Sequence, residues 1–249
     1  MRGPKPEPTL PGNPRQLTIN QHVHSRWCID KFADTDERVG VLRRDQAPFN
    51  AKSDNKIFCA RRVWSQKLES GLFCKVEHAF HAVVAEVLSG TPVSDHDAVT
   101  AYVAIWQQRS RLRENLPHDV SLKSVGPSEL KKEHEETLES RGYGFLRGTV
   151  VPGRIGAFVS VVRNYHMTMH ALGGTRWGVI VAPQGSFFLC PADPQGQLYV
   201  PISRRRALVA GWSDQTVPEA TVLRLNRDAH RNAMYVFGHP DDIATFADG

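Results

Sequence analysis

Two amphipathic stretches follow one another between about Leu72 and Arg113, and their short connection constrains the fold more than any other sequence feature. The apolar residues of the first stretch recur at the i, i+3, i+4, i+7 spacing of a helix that buries one face. They are Leu72, Phe73, Val76, Phe80, Val83, Val84, Val87 and Leu88. Ser89-Gly90-Thr91-Pro92 ends this helix, and Ser94 or Asp95 can cap the next one. A connection this short predicts two antiparallel, neighbouring helices.

Both apolar faces carry a charged residue. Glu77 lies within the first stripe, and Arg109 and Arg113 extend the second stripe, which runs through Val99, Tyr102, Val103, Ile105 and Trp106. Antiparallel pairing brings Arg109 within about one helical turn of Glu77, roughly 5 Å along the axis. The two residues are therefore predicted to form a structural ion pair at the rim of the core or to hold a ligand between them.

Length and composition indicate one domain. The 249 residues are enough to bury a substantial core, and nothing in the sequence demands a second domain. Residues 1–17 are rich in proline and lack the apolar segment of a signal peptide, which predicts a disordered leader followed by a single domain over residues 18–249. No apolar run approaches the ~20 residues needed to span a bilayer.

The four cysteines, Cys28, Cys59, Cys74 and Cys190, are scattered without CxxC pairs. This distribution favours reduced thiols, so we expect a cytoplasmic protein with no membrane partner. The net charge is +5, and arginines occur in small clusters along the chain. Arginine suits bidentate phosphate contacts, which makes nucleic acid the expected partner. The sequence does not indicate an oligomeric state.

Strand patterns occupy the beginning and the end of the chain. Residues 38–44 and 56–64 read as two strands that pair through Asp54-Asn55, and residues 175–181 and 186–190 as a hairpin through 183–185. Further strands are predicted at 198–202 and 207–212. With helices in the middle of the chain, this order predicts an α+β fold whose helices pack on one face of a mostly antiparallel sheet.

The remaining helices follow from periodicity and charge. Pro152 begins a third amphipathic helix that Gly173-Gly174 ends. Residues 129–141 carry charges of both signs and predict a solvated helix without a function. Residues 226–235 and 241–246 predict two short terminal helices.

The spacings of the histidines and cysteines indicate a metal-binding site only weakly. Cys74, His78 and His81 fall on one side of the first helix, and His166 and His170 lie four residues apart. Without a second tight ligand pair, zinc is not expected. His81 has another use, since it lies one turn from Glu77 and can share a proton with it.

Motifs spread over most of the chain resemble a known family. They are the Gln21-His22-Val23 opening with Phe32, Val76-Glu77 with Phe80, Trp106-Gln107 with Arg109, Trp177, residues 188–194, residues 199–203, and Asn226 with Ala233. In this order they resemble a large, mostly bacterial family of unknown function that opens with a His-His-Tyr-Val-Pro-like signature. The chain departs from that pattern at Gln21, at Ser25, and where Ala192-Asp193 runs directly into Pro194. The resemblance implies candidate positions and an architecture, but no reaction.

The candidate site combines the resemblance with the charge pattern. We expect one cleft to contain five polar residues: His22, Glu77, Gln107, Arg109 and Asp193. Asp193 stands in a proline-bounded turn, which predicts a rigid, exposed carboxylate or an Asx-type turn cap. In an enzyme, Glu77 and Asp193 bind Mg²⁺ or Mn²⁺ or serve as acid and base, His22 moves protons, and Arg109 holds an anionic oxygen.

Phosphodiester cleavage in a nucleic acid is the most concrete form of this hypothesis, and it would suit a defence or toxin-like role. The alternative is a non-catalytic module that binds nucleic acid or protein, with the arginines contacting phosphates. A purely structural partner protein is the third hypothesis. The phosphate-binding glycine loop, the G-x-S-x-G elbow and the HExxH helix are absent from the sequence.

Overall fold

The computed structural model of the protein describes residues 7–123, 125–126, 128–194 and 198–248, and it confirms the predicted α+β class. The helices are α1 (Arg26–Ile29), α2 (Cys74–Leu88), α3 (His96–Glu114), α4 (Lys132–Ser140), α5 (Gly153–Ala171), α6 (Glu219–Asn232) and α7 (Pro240–Asp248). The strands are β1 (Asn20–His22), β2 (Arg38–Arg43), β3 (Phe49–Lys52), β4 (Cys59–Arg61), β5 (Val120–Ser121), β6 (Val150–Val151), β7 (Trp177–Val181), β8 (Cys190–Pro191), β9 (Tyr199–Ser203), β10 (Arg206–Ala210), β11 (Gln215–Thr216) and β12 (Tyr235–Gly238).

The strands are divided among several sheets. One four-stranded sheet has the order β11-β7-β10-β9, and the other has the order β3-β2-β12-β8. The pairs in these two sheets are antiparallel, except that β11 runs parallel to β7. Two short antiparallel ribbons, β1 with β4 and β5 with β6, occur elsewhere in the described chain.

The two hairpins predicted from the sequence are wrong. β2 pairs with β3 and β12, and β4 pairs with β1. β7 pairs with β10 and β11, whereas the segment after residue 185 supplies β8, which pairs with β12. The predicted helix over 226–235 is α6, which begins at Glu219 and ends before β12. An alternating pattern identifies a strand, but long-range burial selects its partner.

The predicted helical hairpin of α2 and α3 is confirmed. The rings of Phe80 and Tyr102 stack with 3.9 Å between their centroids. Asp95 caps α3 by accepting a hydrogen bond of 2.9 Å from the backbone N–H of Ala98. The main core of the protein forms where this hairpin meets the inner faces of both four-stranded sheets.

Helices α6 and α7 cover the opposite faces of the sheets. In β10, Leu208 points into the main core, whereas Ala207 and Val209 pack with residues of α6. This alternation follows from the two-residue period of a strand. Gly40 in β2 lets α7 approach closely, because a Cβ at that position would lie 2.8 Å from the Cβ of Ile243. No helix in the described part of the chain has both the length and the apolar character that a membrane crossing requires.

Helix α4 is the charged helix predicted from the sequence, but it is not solvated. Glu135, Glu136 and Glu139 are buried. The Oε2 atom of Glu139 lies 2.8 Å from Nη2 of Arg62 and 2.9 Å from Nη2 of Arg154. The prediction of a solvated helix was wrong because these partners come from distant segments, which local charge patterning does not reveal.

The segment preceding β1 lies against the domain. We expected residues 1–17 to be disordered, yet in residues 7–17 Leu17 is buried and the backbone N–H of Leu10 donates a hydrogen bond of 2.8 Å to a carboxylate of α4. Residues 1–6 lie outside the described residues, and for them disorder stays a prediction.

Removing one carboxylate from α4 tests this buried network. Glu139→Gln leaves Arg62 and Arg154 buried with less counter-charge, so we expect the free energy of unfolding to fall by about 3–5 kcal/mol. Glu133→Gln is the matched control on the same helix. Its carboxylate is 65% exposed and pairs with Arg15, so we expect a loss below about 1 kcal/mol. Denaturant unfolding followed by circular dichroism measures both, and equal losses would contradict the network.

Candidate functional site

The ion pair between Glu77 of α2 and Arg109 of α3 is the centre of the candidate site. The Oε1 atom of Glu77 lies 2.6 Å from Nη1 of Arg109, as the antiparallel helix pairing predicts. The Arg109 side chain is 2% exposed, whereas the Glu77 side chain is 21% exposed. Glu77 therefore reaches the surface, and Arg109 supports it from the interior.

Aromatic rings and a second carboxylate surround the Arg109 guanidinium. Its central carbon lies 4.5 Å from the centroid of the Phe73 ring and 5.9 Å from that of Trp64. The indole N–H of Trp64 donates a hydrogen bond of 2.6 Å to Glu69. Burial alone lowers the pKa of Arg109, but the charges of Glu77 and Glu69 outweigh it and raise that pKa above its ordinary value. The two carboxylates thus offset the cost of burying this guanidinium.

A local irregularity of the backbone supplies two of these groups. Glu69 and Phe73 belong to a π-helical stretch, Leu68–Phe73, that runs directly into α2. The wider turn changes the directions of its side chains relative to those of an α-helix. Sequence periodicity predicted an uninterrupted α-helix from Leu72 and therefore missed Glu69.

His22, at the end of β1, is held as a neutral imidazole. Its Nε2 atom lies 3.0 Å from the carbonyl oxygen of Ser53, so this nitrogen carries the proton and donates it to the carbonyl. Burial is the main cause that lowers the pKa of His22, and the charges of Arg26 and Arg109 lower it further, while Glu77 opposes them. The Nδ1 atom of His22 is left as a proton acceptor.

Arg26 lies beside His22 because both side chains bind Ser53. The Nε atom of Arg26 donates a hydrogen bond of 3.2 Å to the hydroxyl of Ser53, and the Arg26 side chain is exposed. This contact leaves the two terminal nitrogens of the guanidinium for a ligand. Neither residue stands out in the sequence, because Arg26 belongs to no charge cluster and Ser53 lies in a turn 31 residues away from His22.

His81, one turn after Glu77, contacts the segment that begins α1. Its Nε2 atom lies 2.7 Å from the hydroxyl of Ser25, and its ring stacks on Trp27 with 4.5 Å between centroids. Burial lowers the pKa of His81, and the charge of Glu77 opposes the shift. The proton sharing with Glu77 that we predicted stays a prediction, since the hydrogen bond of His81 goes to Ser25.

His24 is a buried structural link in this region. The Tyr102 hydroxyl accepts a hydrogen bond of 3.0 Å from the backbone N–H of Ser25 and lies 2.9 Å from Nδ1 of His24. Burial lowers the pKa of His24 to about 3, so the ring is neutral at physiological pH. It therefore ties the β1–α1 segment to α3 and has no access to a substrate.

Asp193 is buried, which corrects the prediction of an exposed carboxylate. The neighbouring carbonyl of Ala192 accepts a hydrogen bond of 3.3 Å from the indole N–H of Trp106, one turn before Arg109 on α3. The prediction failed because the proline-bounded turn packs against this helix and does not project into solvent. Asp193 thus lies in a buried turn whose backbone contacts α3.

Gln107 is half-buried on α3, but helical geometry directs it away from the site. It stands two positions before Arg109, which corresponds to about 200° around the helix axis. The structure therefore brings Glu77 and Arg109 together, places His22 in their electrostatic environment, and separates Gln107 from them.

The metal-ligating side chains in the described part of the chain are not arranged as a metal centre. Among the described residues, no three His, Cys, Asp or Glu side chains are grouped closely enough to hold an ion. Glu77 is bound to Arg109, and its predicted metal partner Asp193 is buried next to Trp106. We therefore derive no step through Mg²⁺ or Mn²⁺.

Comparisons with known proteins give no relative from which a function could be transferred. No family model matches the chain. No curated protein and no solved structure shows significant similarity to it. The resemblance to the bacterial family with the His-His-Tyr-Val-Pro-like opening therefore stays a prediction.

The charged residues around His22 should change the pKa that is measured for its imidazole. We expect a pKa below the ordinary value of 6.5 in the unmodified protein. Glu77→Gln should lower this pKa further, because a neighbouring negative charge is lost, and Arg26→Gln should raise it. NMR titration of the ring signals measures the shifts, with circular dichroism as the control for folding. A pKa that neither substitution changes would show that His22 lies outside the field of these residues.

Proposed function

We propose that the protein is a hydrolase that cleaves phosphodiester bonds in nucleic acid, with His22 as general base. The observation that supports this proposal most is that Ser53 binds two side chains at once. Its carbonyl accepts a hydrogen bond from the neutral imidazole of His22, and its hydroxyl accepts one from the exposed guanidinium of Arg26. A phosphodiester contacted by the terminal nitrogens of Arg26 would place the water or 2′-hydroxyl that attacks its phosphorus next to Nδ1 of His22. Imidazole and guanidinium together provide a base and an anion ligand.

The ion pair in the interior has a supporting role in this mechanism. His22 takes a proton from the attacking oxygen, which is water or, in RNA, the 2′-hydroxyl. Positive charge then develops on the imidazole, and the Glu77 carboxylate stabilises it electrostatically. Arg109 holds the Glu77 carboxylate in place through their contact of 2.6 Å. The bond from the attacking oxygen to phosphorus forms, and the bond to the leaving oxygen breaks. Solvent protonates the leaving oxygen, and His22 then releases its proton to solvent.

The overall charge favours an anionic substrate. The chain carries +5 at neutral pH, and Arg26 and Lys31 are exposed in the α1 region next to His22. Such a surface attracts nucleic acid without selecting a sequence. A defence or toxin-like role suits this activity. All four cysteines are free thiols, which supports the proposal that the protein works in the cytoplasm.

Turnover measurements on variants test the assignment. His22→Gln removes the base and should lower kcat by about 10²–10⁴-fold. Glu77→Gln should lower kcat while leaving substrate affinity unchanged, and Arg26→Gln should mainly raise KM. The assay follows cleavage of fluorescent RNA and single-stranded DNA in EDTA, in Mg²⁺ and in Mn²⁺, because the sequence predicted metal dependence.

The control is His166→Gln, an exposed histidine on α5. It should cleave as the unmodified protein does. Absence of cleavage together with retained, salt-sensitive binding would favour the alternative of a nucleic-acid-binding module. Full activity of folded His22→Gln would remove the proposed base.

A further inference from the structure

A second cluster of basic side chains lies at the far end of the β1–β4 ribbon from His22. Arg61 pairs with Asn20 at that end, whereas Cys59 pairs with His22. A cavity of about 350 Å³ opens there. Among the described residues that line it, arginines outnumber carboxylates: Arg61, Arg62, Arg147 and Arg154 against Glu7 and Asp119. Three carboxylates of α4, Glu135, Glu136 and Glu139, pair with the four cations Arg62, Lys132, Arg147 and Arg154, so this cluster has one excess positive charge when Glu7 is not counted.

The Glu7 carboxylate occupies this basic cluster as a ligand would. One oxygen lies 2.8 Å from Nη2 of Arg147 and also contacts the ammonium of Lys132, while the other contacts Arg154. Burial raises the pKa of Glu7, but the hydrogen bond from Lys132 and the positive charges outweigh it and hold that pKa at about 2. Cations on both oxygens are the arrangement that proteins use for phosphate and carboxylate ligands.

Arg62 provides an independent indication of a ligand site. Its side chain is 1% exposed, and its Nε atom has no hydrogen-bond partner in the described part of the chain. A buried donor of this kind is uncommon unless a ligand or water satisfies it. The Asp119 carboxylate does not supply a partner for Arg62, because it accepts a hydrogen bond of 2.8 Å from the backbone N–H of Gly153.

We propose that this cavity binds a phosphate group and that Glu7 is an internal ligand which the phosphate displaces. A phosphate offers three or four acceptor oxygens to the same donors, so it can satisfy Arg147, Arg154 and the unpartnered Nε of Arg62 together. Displacement would release the segment around Glu7 from the cavity. The site is separate from His22, and its existence does not depend on the proposed catalysis.

Isothermal titration with inorganic phosphate at constant ionic strength tests the proposal. Glu7→Ala, which vacates the carboxylate position, should bind phosphate at least tenfold more tightly than the unmodified protein. Glu133→Ala is the control, because it removes an exposed glutamate of the neighbouring helix and should not change phosphate affinity. Adding Arg147→Gln to Glu7→Ala should abolish the gain.

Two further measurements test the proposal if the Glu7→Ala variant does not fold and distinguish the source of the phosphate. If Glu7→Ala does not fold, phosphate added to the unmodified protein should shift the NMR signal of the Leu10 amide, which donates to α4, whereas chloride should not. A 5′-phosphorylated oligonucleotide, compared with its unphosphorylated form, separates nucleic-acid phosphate from free phosphate. Phosphate that binds Glu7→Ala and Glu133→Ala equally, or that leaves the Leu10 amide unchanged, would overturn the proposal.

Discussion

The buried positive charge of Arg109 is the constraint on which the candidate site depends. A guanidinium removed from water needs carboxylates close to it, or the desolvation cost destabilises the fold. Glu77 meets this need at 2.6 Å, and Glu69 adds a second negative charge. The aromatic rings of Phe73 and Trp64 enclose the cation. The π-helical stretch before α2 is the local structure that brings Glu69 and Phe73 to it.

This arrangement connects the buried cation Arg109 with the more exposed residues of the candidate site. Arg109 is inaccessible, but it holds the Glu77 carboxylate in an ion pair, and the charge of Glu77 acts on His22. Ser53 fixes the imidazole from the other side and holds Arg26 next to it. The proposed base His22 of β1 thus lies within the electrostatic influence of Arg26 from α1 and Glu77 from α2, although these elements are separate in the chain.

The sequence predicted the parts of this site that depend on local geometry. Helical periodicity and a short connection were sufficient to bring Glu77 to Arg109, because both follow from the rise and twist of a helix. Asp193, predicted to be exposed, is buried because a distant helix covers its turn. The buried charges of α4 and the partners of β2 and β4 depend on segments far apart in the chain, and periodicity contains no information about them.

A double-mutant cycle on the Glu77–Arg109 pair, measured by denaturant unfolding, tests the central claim most directly. Glu77→Gln leaves the buried Arg109 cation without its partner, so we expect the free energy of unfolding to fall by about 2–4 kcal/mol. Arg109→Met removes the charge but keeps much of the volume, so it should lower the free energy of unfolding much less. The double variant should then be no less stable than Arg109→Met alone. Losses that simply add would contradict the account, because the two charges would then stabilise the fold independently.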